Sequence, residues 1–167
     1  MQTLMYLTNI DKILRAMPQV KNGYYLPFHI EHSFNFQGIE EYGSKSITIE
    51  DRIRYLEYQS QLGPSVTAFV NRRPVAVFGC VFLWQGVGEA WSLFTKESRR
   101  YPIAMTKGAI AFFDSCQILF NLHRIQITVK CDDKRAVSWA KYLNFVEEGT
   151  MLNYSADKDD TFMMRRI

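Results

Sequence analysis

No pair of cysteines in this chain is spaced to hold a metal or to close a framework. Cys80, Cys116 and Cys131 are three among 167 residues. They are odd in number and set in apolar runs, the pattern of reduced, buried thiols in a reducing compartment. A disulfide scaffold and a zinc ribbon are both excluded. Histidine is as scarce: His29 and His32 lie three apart with no cysteine or carboxylate at ligand spacing, and His123 stands alone. No metal is expected. The dinucleotide pattern GxGxxG, the Walker pattern and a serine in GxSxG are all missing, so dinucleotide, ATP and serine-hydrolase chemistry have no footing. No apolar run approaches the roughly 20 residues of a membrane span. The opening MQTLMYLTNIDKIL has no charged start ahead of a long apolar stretch, so a cytoplasmic protein with no membrane partner is expected. Charge is nearly balanced, 20 Lys and Arg against 17 Asp and Glu. The net +3 is spread along the chain, which disfavours a nucleic-acid-coating role but suits contact with a small polyanion.

What the chain does have is core. Hydrophobic residues make up 47% and aromatics 14%, enough to bury a sizeable interior without staples, and residues 1–167 are read as a single domain. Residues 9 to 17, NIDKILRAM, place Ile10, Ile13, Leu14 and Met17 at helical spacing before Pro18. The segment from Gly23 to Gly43 follows no period. ITIEDRIRYLEYQSQ, from Ile47 to Gln61, predicts a helix capped by Thr48 with Asp51 three residues on. SVTAFVN and VAVFGCVFLW flank the break Asn71-Arg72-Arg73-Pro74 as a hairpin, and EAWSLFT continues it as a third strand after Gln85-Gly86-Val87-Gly88. A long helix over Met105 to Phe120 follows. HRIQITVK reads as a strand, CDDKRAVSWAKYLNF as a capped helix, and FVEEGTMLNYS and DTFMMRRI as two closing strands. Arg165 and Arg166 are read as a solvated tail.

Three stretches carry chemistry. Ser98-Arg99-Arg100-Tyr101-Pro102-Ile103-Ala104 joins EAWSLFT to the long helix, so two guanidinium groups meet a helix N-terminus, a setting for phosphate. Pro102 removes one amide there, yet proline suits the first turn of a helix. The second stretch, AVSWAKYLNFVEEG, is led by Asp133 and ends its helix at Asn144, where Asn is the usual alternative to Gly in a left-handed cap. The third is Glu89, which opens EAWSLFT directly after Gly88.

The order of elements from Ser65 onward, together with these stretches, resembles the GCN5-related N-acetyltransferase (GNAT) superfamily. The resemblance implies an α+β (α/β) fold: a central mixed, mostly antiparallel twisted sheet with helices on both faces, its acyl-CoA core at about residues 65–167. In the superfamily's phosphate turn, Arg or Gln is followed after two intervening residues by Gly and, after one more, by Gly or Ala. Arg99 matches, Pro102 stands on the first glycine and Ala104 on the small residue. In the late helix Ala136, Leu143 and Phe145 match, and Asp133 replaces the leading Asn. The resemblance further implies acetyl-CoA as acyl donor in the splay between EAWSLFT and HRIQITVK. Backbone groups near Leu93, Phe94 and Thr95 would pair with the pantetheine arm. Arg99, Arg100, Ile103 and Ala104 would receive the pyrophosphate, and Asp133 would assist from the late helix. An acceptor amine would attack the thioester directly, with Glu89 relaying its proton. The superfamily's acidic tyrosine falls on Ala140. Tyr142, two residues and about 200° round the helix, is the nearest candidate acid. Trp139 and Leu143 are read as core.

The acceptor expected is a small-molecule or protein amine, gripped by Gly23 to Gly43 and the second helix. The arginine-proline turn and the late-helix tryptophan are closest to phage-encoded members, some of them head-assembly proteins. That opens a second reading: an inactive GNAT-fold protein in the host cytoplasm, acting in virion assembly through a phage structural partner. Tyr24, Tyr25, Phe34 and Phe36 would then form a contact patch, with a homodimer allowed.

Overall fold

The computed structural model describes residues 2–34 and 47–167. Among the described residues five α-helices, α1 (Gln2–Ala16), α2 (Ile30–Phe34), α3 (Ile49–Ser60), α4 (Pro102–Leu119) and α5 (Lys134–Tyr142), accompany seven strands. The strands are β1 (Gly23–Pro27), β2 (Ser65–Val70), β3 (Arg73–Trp84), β4 (Val87–Phe94), β5 (Arg124–Lys130), β6 (Phe145–Met151) and β7 (Thr161–Arg166). They form one sheet in the order β1-β2-β3-β4-β5-β7-β6. Every pairing is antiparallel except β4 with β5, which the α4 crossover makes parallel.

Period-two alternation decides what each face buries. Ala76, Phe78 and Cys80 of β3 and Ala90 of β4 pack with Ile13 of α1, Met105, Ala109 and Phe112 of α4 and Ala140 of α5. The residues between them, Val77 of β3 and Leu93 of β4, turn the other way onto Leu56 of α3, joined by Phe28, Ile30 and Trp91. Helices therefore cover both faces, as expected. Among the described residues no helix is long and apolar enough to cross a membrane, and no group of three His, Cys, Asp or Glu could hold a metal.

Local signals account for most boundaries. The Thr48 hydroxyl accepts the Asp51 N–H at 3.2 Å and the Asp133 carboxylate accepts the Ala136 N–H at 3.0 Å, so both predicted N-caps are in place. The β2–β3 turn closes on Asn71 and Arg72, with φ 50° and 64°, the left-handed pair that matches the twist of a two-residue hairpin. Asn144 ends α5 at φ 67°.

Three expectations are corrected. The first helix begins well before Asn9, at Gln2. The aperiodic stretch from Gly23 holds an edge strand and a short helix, β1 and α2. The remainder of that stretch, with Phe36 of the patch, lies outside the described residues. Arg166 is not a solvated tail. It is buried, its guanidinium bonds Gln117 at 2.6 Å and Asp114 at 2.7 Å, and it donates to the Leu143 carbonyl at 3.1 Å. One cation thus ties α4, α5 and β7 together.

On α2, His32 Nδ1 lies 2.9 Å from the Thr67 hydroxyl and accepts the His29 N–H at 3.2 Å. Burial first, and then His29, hold its pKa below the ordinary 6.5, against the pull of Glu31. A lowered histidine pKa means that the unfolded chain protonates first, so stability is full above about pH 6.5 and falls as pH drops through the folded pKa. The thermal midpoint is expected to decline from pH 7 toward about pH 5.5. In His32→Gln the slope over that window should flatten. An unchanged slope would remove His32 as the cause.

Candidate active site

The site is built on a parting of strands. β4 and β5 pair only through Val87, Gly88 and Glu89, opposite Arg124, Ile125 and Gln126. Beyond Glu89, β4 stays with β3 while β5 goes on with β7 from Gln126 to Lys130. A wedge-shaped gap opens between them, at the place the resemblance implies. From Glu89 at its apex to Thr95 at its mouth is six residues, roughly 20 Å of strand.

Hydrogen-bond alternation decides which groups face the gap. The Thr95 N–H and hydroxyl both donate to the Val75 carbonyl, at 3.0 and 3.2 Å, and the Thr95 carbonyl accepts from Ser98. Thr95 is therefore bonded toward β3, and so, two residues back, is Leu93. The intervening residues Phe94, Ser92 and Ala90 turn their amides and carbonyls to the gap. Of Leu93, Phe94 and Thr95, only Phe94 offers its backbone there.

At the mouth, a 3-10 turn over Lys96–Arg100 leads into α4. Arg99 and Arg100 are exposed. The Tyr101 N–H is spent on the Ser98 carbonyl, Pro102 has none, and the first helical bond is Met105 N–H to Tyr101 O. Ile103 and Ala104 therefore keep first-turn amides with no helical acceptor. The turn thus carries two amides, two exposed guanidinium groups and the positive end of an 18-residue helix, a donor set that fits a diphosphate. The Asp133 carboxylate is engaged as the cap of α5.

Across the gap lies a bridge made by Trp139, which packs against the core as the sequence reading expects. Trp139 of α5 meets Phe94 of β4 edge-on, ring centroids 5.2 Å apart. Its indole N–H donates to the Thr106 hydroxyl at 3.0 Å, and Thr106 donates to the Pro102 carbonyl at 2.9 Å. Trp139 thus binds α5 to the first turns of α4 and spans the gap on the α4 face. Its partners are 33 and 45 residues away, beyond the reach of any local pattern. Ala140, on the motif's tyrosine position, is buried in the core, and Tyr142 is 74% exposed at the end of α5.

Glu89 points to the opposite, α3 face. Its carboxylate accepts the Gln126 amide at 3.1 Å, Gln126 accepts Arg124 Nε at 2.8 Å, and Glu148 is shared by Arg124 and Arg165. Both guanidinium groups hold the Glu148 carboxyl below the usual range, Arg124 most strongly. Beside Glu89 a cleft of about 200 Å³ opens between α3 and the β3–β4 hairpin, walled by Tyr55, Tyr58 and Trp91. Trp91 lies flat on Gly79, where a Cβ would come within 2.1 Å of the ring. Burial, and then the nearness of Glu89 and Tyr154, push the Tyr55 pKa above 10.0. Sequence reasoning missed this cleft, although Tyr55 and Tyr58 at i, i+3 on a helix and Glu89 and Trp91 at i, i+2 on a strand are each same-face pairs.

No model of a known sequence family matches the chain, and no curated protein does. Solved structures do. An Ard1 protein from Thermoplasma volcanium is 17% identical, with a TM-score of 0.71 over 87% of this chain and 97% of its own. A ribosomal-protein-S5-alanine acetyltransferase from Vibrio fischeri is 14% identical, with a TM-score of 0.67 over 90% and 95%. A ribosomal L7/L12 alpha-N-protein acetyltransferase, solved in complex with coenzyme A, is 13% identical, with a TM-score of 0.71 over 90% and 97%. The chain has the fold of the GNAT acetyltransferases.

Proposed function

We propose that the protein is an acyl-CoA-dependent N-acyltransferase that takes its donor from the α4 face of the gap and its acceptor amine from the α3 face. The observation that carries this reading is the wedge between β4 and β5, with a phosphate-type donor set at its mouth and a carboxylate at its apex. Arg99, Arg100 and the amides of Ile103 and Ala104 would hold the diphosphate, and the free edge at Ala90, Ser92 and Phe94 would hold the arm. A bound acyl-CoA supplies an acyl group activated as a thioester, which an amine converts to an amide with release of the thiol. Glu89 takes the proton of the acceptor ammonium, directly or through one water. Edge amides of β4 face the apex and can stabilise a developing oxyanion. Release of free thiol from acetyl-CoA on addition of an amine tests the reading. Amine-dependent release supports it, and none with any amine of a broad panel counts against it.

Trp139 bears on the same reading. Donor binding along β4 must displace an indole that holds one hydrogen bond and one ring contact, a conformational cost of about 1.4 kcal/mol and so about tenfold in affinity. Trp139→Leu is expected to tighten acetyl-CoA binding by about that factor, read by calorimetry. Weaker binding would mean that the indole is part of the donor site.

The bridge also favours a second reading, a GNAT-fold protein that holds no donor and works through protein contacts, virion assembly among them. On that reading Trp139→Leu stays blind to acetyl-CoA.

A further inference from the structure

The cleft beside Glu89 has a composition more particular than a general amine site requires. Tyr55 and Tyr58 are 62% and 60% exposed, so their rings form an open rim. Val81, Leu83 and Trp91 supply an apolar wall, and among the described residues Glu89 is the one charged residue lining it. Its volume of about 200 Å³ is below the usual range for drug-sized ligands and suits a group the size of one side chain. On the far side of Gln126 the polar chain carries two guanidinium groups against the single carboxylate of Glu148, a net positive border.

Three consequences follow from elementary electrostatics. One ammonium is attracted by Glu89 and by the faces of the tyrosine rings. A second ammonium on the same molecule meets apolar wall on one side and guanidinium on the other. An apolar substituent next to the amine gains by leaving water against Val81, Leu83 and Trp91.

We propose that this cleft selects as acceptor a monocationic primary amine carrying one apolar or aromatic group of side-chain size, in preference to polyamines. The acceptor role rests on the acyltransferase reading; the binding preference does not. The test is calorimetric titration of the full chain with 2-phenylethylamine and with spermidine, each with and without coenzyme A. Phenylethylamine is expected to bind at one site and at least about tenfold tighter than spermidine. Glu89→Gln and Tyr58→Ala should each weaken it about tenfold; both residues reach solvent, and an unchanged thermal midpoint confirms the fold of each variant. Equal or tighter spermidine binding, no saturable phenylethylamine binding in either condition, or indifference to both substitutions overturns the proposal. Amine selectivity in a protein that does not bind acetyl-CoA upholds this inference and defeats the acyltransferase reading. Acetyl-CoA binding without amine selectivity does the reverse.

Discussion

Glu89→Gln is expected to lower amine-dependent acyl transfer by roughly 10²–10⁴-fold, the range that a positioned general base contributes. The substitution keeps the size of the side chain and an oxygen for the Gln126 amide, which donates to it at 3.1 Å. What disappears is the ability to take a proton. Because Glu89 sits at the apex, about 20 Å of strand from the arginines, affinity for the donor should not change. A large fall in kcat with an unchanged KM for acetyl-CoA is therefore the expected signature in a thiol-release assay. A rate within threefold of the parent would take the base role from Glu89. The tyrosine position offers no substitute, since Ala140 is buried and Tyr142 projects to solvent.

The second large effect belongs to the mouth of the gap. Arg99→Ala combined with Arg100→Ala removes two charge-assisted donors and leaves only the amides of Ile103 and Ala104 with the helix dipole. Charge-assisted bonds are worth more than neutral ones, but both side chains are exposed and screening reduces their share. A combined loss of about 2.7 kcal/mol, or roughly 100-fold in Kd for acetyl-CoA, is expected. Folding should be almost untouched, because exposed side chains away from caps and cores change stability by about 0.5 kcal/mol or less. Unaltered affinity in the double variant, at an unaltered thermal midpoint, would mean that the turn is only the start of α4. Pro102 is the reason for such dependence on side chains: it takes away one amide of the cradle, and the Tyr101 N–H is already bonded to Ser98.

The frame of this molecule is written locally, and for that reason it could be read. β2 to β7 announce themselves by β-branched and aromatic runs between tight breaks. α3 and α5 carry side-chain caps at Thr48 and Asp133, and the left-handed end of α5 is an asparagine. β1 could not be read because it is an edge strand, half exposed, closed by a proline and paired on one side only. The burial of Arg166 was hidden for another reason. Its partner Gln117 is 49 residues earlier, so nothing near the arginine marks it as core.

The candidate site divides in the same way. Arg99, Arg100 and Glu89 are visible because a phosphate turn and a strand-borne carboxylate have local settings. Which backbone groups face the gap depends on the β3–β4 register, and that register turns Leu93 and Thr95 away while leaving Phe94 free. The Trp139 bridge and the tyrosine cleft depend on contacts between elements far apart in the chain. Composition alone could supply only their parts.

The central claim is that the wedge between β4 and β5 takes an acyl-CoA with its diphosphate on the turn before α4. Calorimetric titration of the protein with acetyl-CoA at low and moderate salt tests it most directly. The account predicts one site with micromolar affinity that weakens as salt rises, since two solvent-exposed arginines carry part of it. No heat at millimolar acetyl-CoA, at either salt concentration, would contradict it and leave the fold as a scaffold for protein contacts.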